Sequence, residues 1–321
     1  MGTPKRHHYL PEFYLDRFTR SGGFWVFDRS QGKLRRARPR NTAVIGHYYT
    51  LTDESGERHA DVERFLSALE GLARPAFDSL ESGADFTPLQ RFRLARFLGY
   101  LFCRTPAFGR WLNEITTGFA EVIMRKNLED PEASRIFNLP PEELLDYLDS
   151  GEFALELDDN TRIAQLVQKA DEFGKNFFCS AWTIAKADPH TSFVTCDNPF
   201  GLLFPPGIPK HMKDWAWGAS SPEVTRVFPL SAQTCLLMNE VGHDMCRLDM
   251  TPDQVRQINL AIIAETETYA IARDEGHLRS LARAGGLSNP KPDTRAVIEN
   301  HAHPSGDPLR SVLITRRTKI K

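Results

Sequence analysis

The chain has 321 residues, of which 41% are hydrophobic and 26% charged, and its formal net charge is −2. This composition excludes a largely disordered, collagen-like or coiled-coil protein and predicts a globular chain with one large domain or two ordinary ones. No uncharged apolar run approaches the ~18 residues of a membrane span, and the first residues lack an apolar signal-peptide core. We therefore expect a cytoplasmic protein with no membrane partner.

The first part of the chain, residues 1–55, predicts a small unit of one helix and three strands. Helical spacing of apolar residues runs from Leu10 to Phe18. Phe24–Arg29 is rich in aromatic and β-branched residues and, with Leu34–Arg38, predicts a hairpin, while Tyr48–Leu51 predicts a third strand.

The middle of the chain, about residues 61–179, predicts a helical block. Apolar residues recur at helical spacing from Asp61, and Thr87-Pro88-Leu89-Gln90 matches a capping box at the start of the next helix. Pro106 ends that helix and begins another, and shorter helices are predicted at about 140–150 and 161–179.

Strand patterns return after the helical block, at residues 182–185, 192–196, 225–228 and 234–238, and a second capping signature, Thr251–Gln254, opens a helix. We predict an α+β fold in which N-terminal and C-terminal strands share one sheet and flank the helical insertion. Residues 1–284 are predicted to form one domain, and residues 285–321 a polar, basic and loosely attached tail.

The cysteines are too widely spaced for a zinc site or a disulfide scaffold. They are Cys103, Cys179, Cys196, Cys235 and Cys246. Cys103 and Cys179 lie in apolar segments, so we expect mostly buried and unreactive thiols.

Positive charge is concentrated at the start of the chain, where residues 1–40 carry ten Lys and Arg against three Asp and Glu. Such a segment predicts either contact with a phosphate-bearing partner such as nucleic acid, or docking onto the protein's own acidic surface. The candidate phosphate contacts are Arg6, Arg35, Arg36, Arg38 and Arg40.

Two segments carry candidate chemistry, and the first is the pair His7 and His8. Adjacent side chains point in different directions on a helix or a strand, so the two rings are not expected to bind one metal ion together. One histidine is expected to act as general acid, general base or single ligand while the other packs. The alternative is that the pair only hydrogen-bonds buried backbone.

The second segment is Asp197-Asn198-Pro199, which ends a predicted strand. A carboxylate at the end of a strand is placed where ligands commonly bind in proteins with mixed sheets and helices. The alternative is a turn in which Asp197 and Asn198 hydrogen-bond neighbouring backbone.

These segments resemble an uncharacterised bacterial family, the domain of unknown function 4238, over roughly residues 5–275. The likeness rests on the opening RHHYLPEFYLDRF, on FWVFDR, on FVTCDNP and on FPL at Phe228 to Leu230. Cys196 stands where the family usually has serine. The resemblance implies no activity, but it singles out His7, His8, Tyr9, Pro11, Tyr14, Glu63, Glu70, Arg104, Asp197, Asn198 and Pro199.

The sequence lacks the dinucleotide, phosphate-loop, nucleophile-elbow and zinc-protease motifs. Our leading hypothesis is a hydrolase of a phosphodiester or related substrate, assisted by a divalent metal such as Mg²⁺ or Mn²⁺. It assigns acid–base catalysis to His7 or His8, and it makes Asp197 either a metal ligand or the carboxylate that pairs with and orients the catalytic histidine. Glu70 or Glu63 adds a second carboxylate, with Glu70 the candidate metal ligand. Asn198 lies in the site, and Arg104 neutralises charge in the transition state. The competing hypotheses are a non-catalytic module that binds nucleic acid or protein through the basic hairpin, and a purely structural pin.

Overall fold

The computed structural model describes residues 6–53, 55–128, 140–150, 157–207, 223–242, 244–289, 294–298 and 313–317. The helices are α1 (Glu12–Asp16), α2 (Asp61–Ser82), α3 (Pro88–Cys103), α4 (Pro106–Leu128), α5 (Pro141–Ser150), α6 (Asp159–Phe178), α7 (Pro252–Ala264) and α8 (Glu275–Ala284). The strands are β1 (Arg6–His8), β2 (Phe24–Asp28), β3 (Lys33–Ala37), β4 (Val44–Gly46), β5 (Leu51–Thr52), β6 (Arg58–His59), β7 (Ser180–Ala187), β8 (Thr195–Cys196), β9 (Gly201–Leu203), β10 (Thr225–Pro229), β11 (Thr234–Val241), β12 (Met245–Met250), β13 (Tyr269–Ala272), β14 (Thr294–Ile298) and β15 (Leu313–Arg317).

The α+β class is confirmed, with a helical block in the middle and strands on both sides of it. The N-terminal hairpin β2–β3 joins the C-terminal strand β13, and β13 joins β8, in a sheet of order β3-β2-β13-β8. The two ends of the chain therefore do share a sheet. A second sheet, of order β12-β7-β11-β10-β9, holds the remaining strands of the C-terminal half.

The helical block is built around the antiparallel contact of α3 with α6. Gly99 of α3 faces Gly174 of α6, and a Cβ at Gly99 would lie 2.6 Å from the backbone nitrogen of Gly174. The helix α3 begins with the predicted capping box, in which Thr87 accepts a hydrogen bond from the Gln90 backbone N–H. The second predicted capping box opens α7 at Thr251.

The main hydrophobic core lies where α1 meets the helical block and the five-stranded sheet. Tyr14 packs on Phe228 at 5.2 Å between ring centroids, and Phe77 packs edge-on against Phe97 at 5.7 Å. A second cluster lies between the sheets and α7 and α8, around residues such as Ile262. Aromatic burial therefore fixes α1 and the strand before it against the rest of the molecule.

Several local features differ from the sequence-based expectations. The strand expected at Tyr48–Leu51 is replaced by β4 and β5, and a further strand, β12, pairs in parallel with β7. In the segment expected to be a tail, β14 pairs with β15. The division of the chain at residue 284 stays a prediction.

Cys103, Cys196 and Cys235 are buried, as expected, whereas Cys179 and Cys246 are exposed. Cys179 caps the C-terminus of α6, so its apolar neighbours in sequence do not enclose it. Among the described residues, no helix is both long enough and apolar enough to cross a membrane.

Candidate functional site

A cavity of about 140 Å³ lies between the N-terminal strand, the start of α1 and the helices α2 and α3. It is lined by His7, His8, Pro11, Glu12, Tyr49, Glu63, Leu66, Ser67, Glu70 and Arg104. Several predicted site residues therefore meet here from three distant parts of the chain.

His7 is held in one position and one tautomer. Its Nδ1 accepts a hydrogen bond of 3.0 Å from the backbone N–H of Tyr49, and its ring stacks on the Tyr49 ring at 5.8 Å. Because Nδ1 is an acceptor, the ring proton is on Nε2, which lies 3.0 Å from Oε2 of Glu63. His7 is only 1% exposed, so it serves as a rigid wall of the cavity.

His8 differs from His7 in having unused hydrogen-bonding capacity. The pairing of β1 with β4 places His8 opposite Val44 and fixes its backbone. Its Nε2 is buried and has no hydrogen-bond partner among the described residues. A buried polar atom of this kind is uncommon and calls for a ligand or a water molecule. The structure thus separates the two histidines into one that packs and one with a free ring nitrogen.

Arg104 caps the C-terminus of α3 and is 1% exposed. Its Nε donates to the carbonyl of Tyr9 at 2.7 Å, and its Nη1 donates to Oε1 of Glu70 at 2.9 Å. The Tyr49 hydroxyl donates to the Arg104 carbonyl at 2.8 Å. The remaining nitrogen, Nη2, is buried with no hydrogen-bond partner in the described part of the chain. Arg104 therefore has a fixed guanidinium with one unused donor group.

The acidic and hydroxyl groups of the cavity come mainly from one face of α2. Glu63, Ser67 and Glu70 follow one another at spacings of four and three residues, which places them on the same side of a helix. Glu12, in the first turn of α1, adds a third carboxylate from across the cavity. The lining therefore carries three carboxylates and one guanidinium.

Asp197 is placed differently from the prediction and does not line this cavity. Its Oδ1 accepts from the backbone N–H of Glu267 at 2.9 Å, and its Oδ2 accepts from that of Thr268 at 2.6 Å. Burial raises the pKa of Asp197 to about 6. Both oxygens hold the turn before β13, so the expected pairing of this carboxylate with the histidines is replaced by a backbone contact.

The N-terminal segment does approach Asp197, but through Tyr9 rather than through the histidines. The Tyr9 hydroxyl lies 2.5 Å from that of Tyr269, and burial, with the nearby charge of Asp197, raises the pKa of Tyr9. Asn198 accepts a hydrogen bond from the Cys196 thiol through its carbonyl and is also absent from the cavity lining. The thiol of Cys196 has a pKa raised by burial.

The predicted metal pair, Asp197 and Glu70, is not brought together, because only Glu70 lines the cavity. Within the described ranges, the group of His, Cys, Asp and Glu side chains close enough to share a cation is Asp53, Glu57 and His59. These three lie at the β5–β6 hairpin, where Asp53 accepts hydrogen bonds from Ser55, Glu57 and His59. The hairpin geometry itself accounts for this cluster.

The predicted phosphate contacts lie on or next to the edge strand β3. Arg35, Arg36, Arg38 and Arg40 are exposed, and Arg36 lies over the ring of Trp25 at 5.7 Å. Arg6 precedes the histidines on β1 and donates to the carbonyl of Arg40 at 3.2 Å. The basic surface therefore begins beside the strand that carries His7 and His8.

Four lining residues, Glu12, Tyr49, Leu66 and Ser67, were not foreseen as residues of a catalytic site. The helical spacing of Glu63, Ser67 and Glu70 is a local signal that could have identified Ser67. The place of Tyr49 depends on a turn after β4 that carries no recognisable motif, so only the fold reveals it.

The chain belongs to a family of proteins of unknown function, DUF4238, whose family model matches residues 6–276. The match contains all four segments that carry the resemblance and every residue that lines the cavity. No curated protein and no solved structure matches the chain.

Proposed function

We propose that the protein is a hydrolase of a phosphodiester or a related phosphate-bearing substrate, and that its active site is the cavity lined by His8 and Arg104. The observation that supports this proposal is that two nitrogen atoms without hydrogen-bond partners among the described residues belong to side chains that line the same cavity. The Nε2 of His8 and the Nη2 of Arg104 are both buried without a hydrogen-bond partner among the described residues, and both side chains line the same cavity.

These two groups suit the two requirements of phosphoryl transfer to water. An imidazole nitrogen removes a proton from the attacking water, and a fixed guanidinium donates to the phosphoryl oxygens as their charge develops. Water forms the new bond to phosphorus, the ester bond breaks, and the proton is returned to the leaving alcohol. The proposal therefore assigns acid–base catalysis to His8 and charge stabilisation to Arg104.

The carboxylates of the cavity favour a reaction that uses a divalent cation. Glu70 is paired with Arg104 and Glu63 lies beside Nε2 of His7, whereas Glu12 has no cation partner among the described residues. An unpaired carboxylate in the cavity would repel a phosphate group. Mg²⁺ and Mn²⁺ prefer oxygen ligands and commonly bridge carboxylates and substrate phosphates. We expect activity to depend on one of these ions, with Glu70 and Glu12 as the residues that approach it.

The test uses the full chain with bis(p-nitrophenyl) phosphate, single-stranded DNA and RNA as substrates, each with Mg²⁺ or Mn²⁺. The wild-type protein is expected to hydrolyse at least one of them. His8→Asn removes the ring and is expected to lower kcat/KM by about 10²- to 10⁴-fold, the usual effect of losing a general acid–base group.

The matched control is His190→Asn, which makes the same change at an exposed histidine outside the cavity. It is expected to leave turnover unchanged. Absence of turnover by the wild-type protein on every substrate and metal, or full activity in a folded His8→Asn variant, would overturn the proposal.

A second candidate function is supported by the exposed face of β3. Arg35, Arg36 and Arg38 have no carboxylate partner among the described residues, and Trp25 lies beside Arg36. An edge strand of this composition can bind a nucleic acid backbone, although charged residues also protect sheet edges from aggregation.

This second function predicts salt-dependent binding to nucleic acid that does not require turnover. Replacing both Arg35 and Arg38 with Gln is expected to weaken binding and to reduce the slope of log affinity against log salt by roughly one to two. An affinity that stays constant between about 50 and 200 mM salt would rule it out.

A further inference from the structure

A second cavity, of about 470 Å³, lies at the opposite end of α2 from the first one. It is lined by Asp16, Arg17, Thr19, Glu81, Lys186, Ala187, Ser231, Gln233, Thr234 and Arg273. None of these residues lines the cavity of His8. Its size falls within the range of ordinary small-molecule sites.

Two cations in this cavity have no partner among the described residues. Lys186 and Arg273 form no ion pair or side-chain hydrogen bond within the part of the chain that the structure describes, and the Nε of Arg273 is buried. Buried or half-buried cations are normally paired, because removing a charge from water is costly. Lys186 and Arg273 are half-buried, and two such cations in the lining of one cavity offer the contacts that an anionic ligand would use.

The third cation that lines the cavity, Arg17, differs from Lys186 and Arg273 because it has carboxylate partners. Arg17 forms ion pairs with Glu81 and, at 2.6 Å, with Asp78. The remaining carboxylate of the lining, Asp16, has a pKa raised by its burial and by the charge of Glu12. With Arg17 and Glu81 paired, the charged groups left in the lining are Lys186, Arg273 and Asp16, so the cations outnumber the carboxylate by two to one.

The backbone around Lys186 is held by strand pairing on both sides and by a hydrogen-bonded turn. Lys186 lies on β7, which is paired on both sides, with Thr234 opposite it on β11 and Asp249 on β12. The turn before β11 is closed by the Ser231 hydroxyl, which accepts hydrogen bonds from the backbone of Gln233 and Thr234 at 3.1 and 3.2 Å. The backbone that carries Lys186 is therefore rigid, which lowers the entropy cost of binding.

We propose that this second cavity binds a small molecule through a phosphate or carboxylate group, which Lys186 and Arg273 contact together. A guanidinium suits an oxyanion because it donates in a plane to two oxygens, and an ammonium adds a point charge from another side. Both phosphate and carboxylate have this chemistry. The site is independent of the hydrolase proposed above, because the two cavities share no residue.

The test measures binding of inorganic phosphate and, separately, of succinate to the full chain by isothermal titration calorimetry in a buffer without either anion. At least one of the two is expected to bind saturably. Lys186→Met and Arg273→Met are each expected to weaken that binding by roughly tenfold, the usual effect of losing one charge-assisted contact. The identity of the stronger ligand distinguishes a phosphate site from a carboxylate site.

The matched control is Lys175→Met, which removes the same charge from an exposed lysine on α6 outside both cavities. It is expected to leave the affinity unchanged. Circular dichroism of each variant verifies that the fold is intact, and His8→Asn is expected to bind the anion as the wild type does. The proposal fails if neither anion binds, or if Lys175→Met weakens binding as much as Lys186→Met does.

Discussion

Asp197 is 4% exposed, yet both of its carboxylate oxygens accept hydrogen bonds from backbone N–H groups. Burial nevertheless dominates and raises the pKa of this side chain to about 6 from 3.8. The folded protein therefore binds one more proton than the unfolded chain between about pH 4 and pH 6. Stability supplied by the protonated form is complete below about pH 4 and is lost as the pH rises through 6.

We predict that Asp197→Asn removes this pH dependence. The difference between a pKa of about 6 and one of 3.8 corresponds to a loss of roughly 3 kcal/mol across the window in the wild-type protein. Urea unfolding at pH 4, 5, 6 and 7 measures it. Asp188→Asn, at a partly exposed turn, is the control and keeps the wild-type profile. Parallel profiles of Asp197→Asn and wild type would contradict the assignment.

The close contact between α3 and α6 predicts that alanine destabilises the protein at Gly99, whereas alanine stabilises it at Gly71, a helical glycine outside this contact. A Cβ at Gly99 would clash with the carbonyl of Ala170 and lie 2.6 Å from the Gly174 nitrogen, whereas a Cβ at Gly71 on α2 would meet nothing within 4 Å. Gly99→Ala is expected to lower the free energy of unfolding by about 1–3 kcal/mol, and Gly71→Ala to raise it by up to about 1 kcal/mol.

Chemical denaturation of both variants measures these changes. Since alanine has the higher helix propensity at either position, propensity alone predicts that both substitutions stabilise. A stabilised Gly99→Ala variant would therefore show that the two helices can move apart at little cost.

Among the helices and strands, the features that could be predicted from the sequence are those that depend on residues close together in the chain. The capping boxes at Thr87 and Thr251 depend on residues three apart, so both were predictable from the sequence. The strand β12 was not predicted, because its side chains are mostly exposed and its position depends on pairing with β7, some sixty residues earlier. A strand that is exposed on both faces has no buried face to impose an alternating pattern.

In the candidate site, too, the sequence identified residues through local motifs but did not show which of them lie close together. His7, His8, Glu70 and Arg104 were singled out by motif and meet in one cavity, but their catalytic role stays a prediction. Asp197 had an equally suitable side chain, and only the path of the chain shows that its oxygens face the backbone of Glu267 and Thr268. Proximity between segments almost two hundred residues apart is not encoded in either segment alone.

For the molecule as a whole, the main core joins parts that lie far apart in sequence. Phe24 of β2, Phe77 of α2 and Phe228 of β10 belong to one cluster of buried residues. Because the three regions share this cluster, we predict that the helical block does not outlast the sheets on unfolding. The test uses a variant in which Trp182, which is buried on β7, is the one tryptophan kept and the other four are replaced by Phe. The midpoint of helix loss by far-ultraviolet circular dichroism is expected to match the midpoint of its tryptophan fluorescence. Two separated midpoints would contradict this.

The difference in exposure among the cysteine thiols allows the folded fraction of the protein to be measured by alkylation. Cys179 and Cys246 are accessible to an aqueous alkylating agent, whereas Cys103, Cys196 and Cys235 are enclosed and have a pKa raised by burial. Native protein should therefore take up two labels per chain and denatured protein five, which mass spectrometry resolves directly. The same labelling measures the fraction of unfolded molecules for each variant described above, and it requires no knowledge of a ligand.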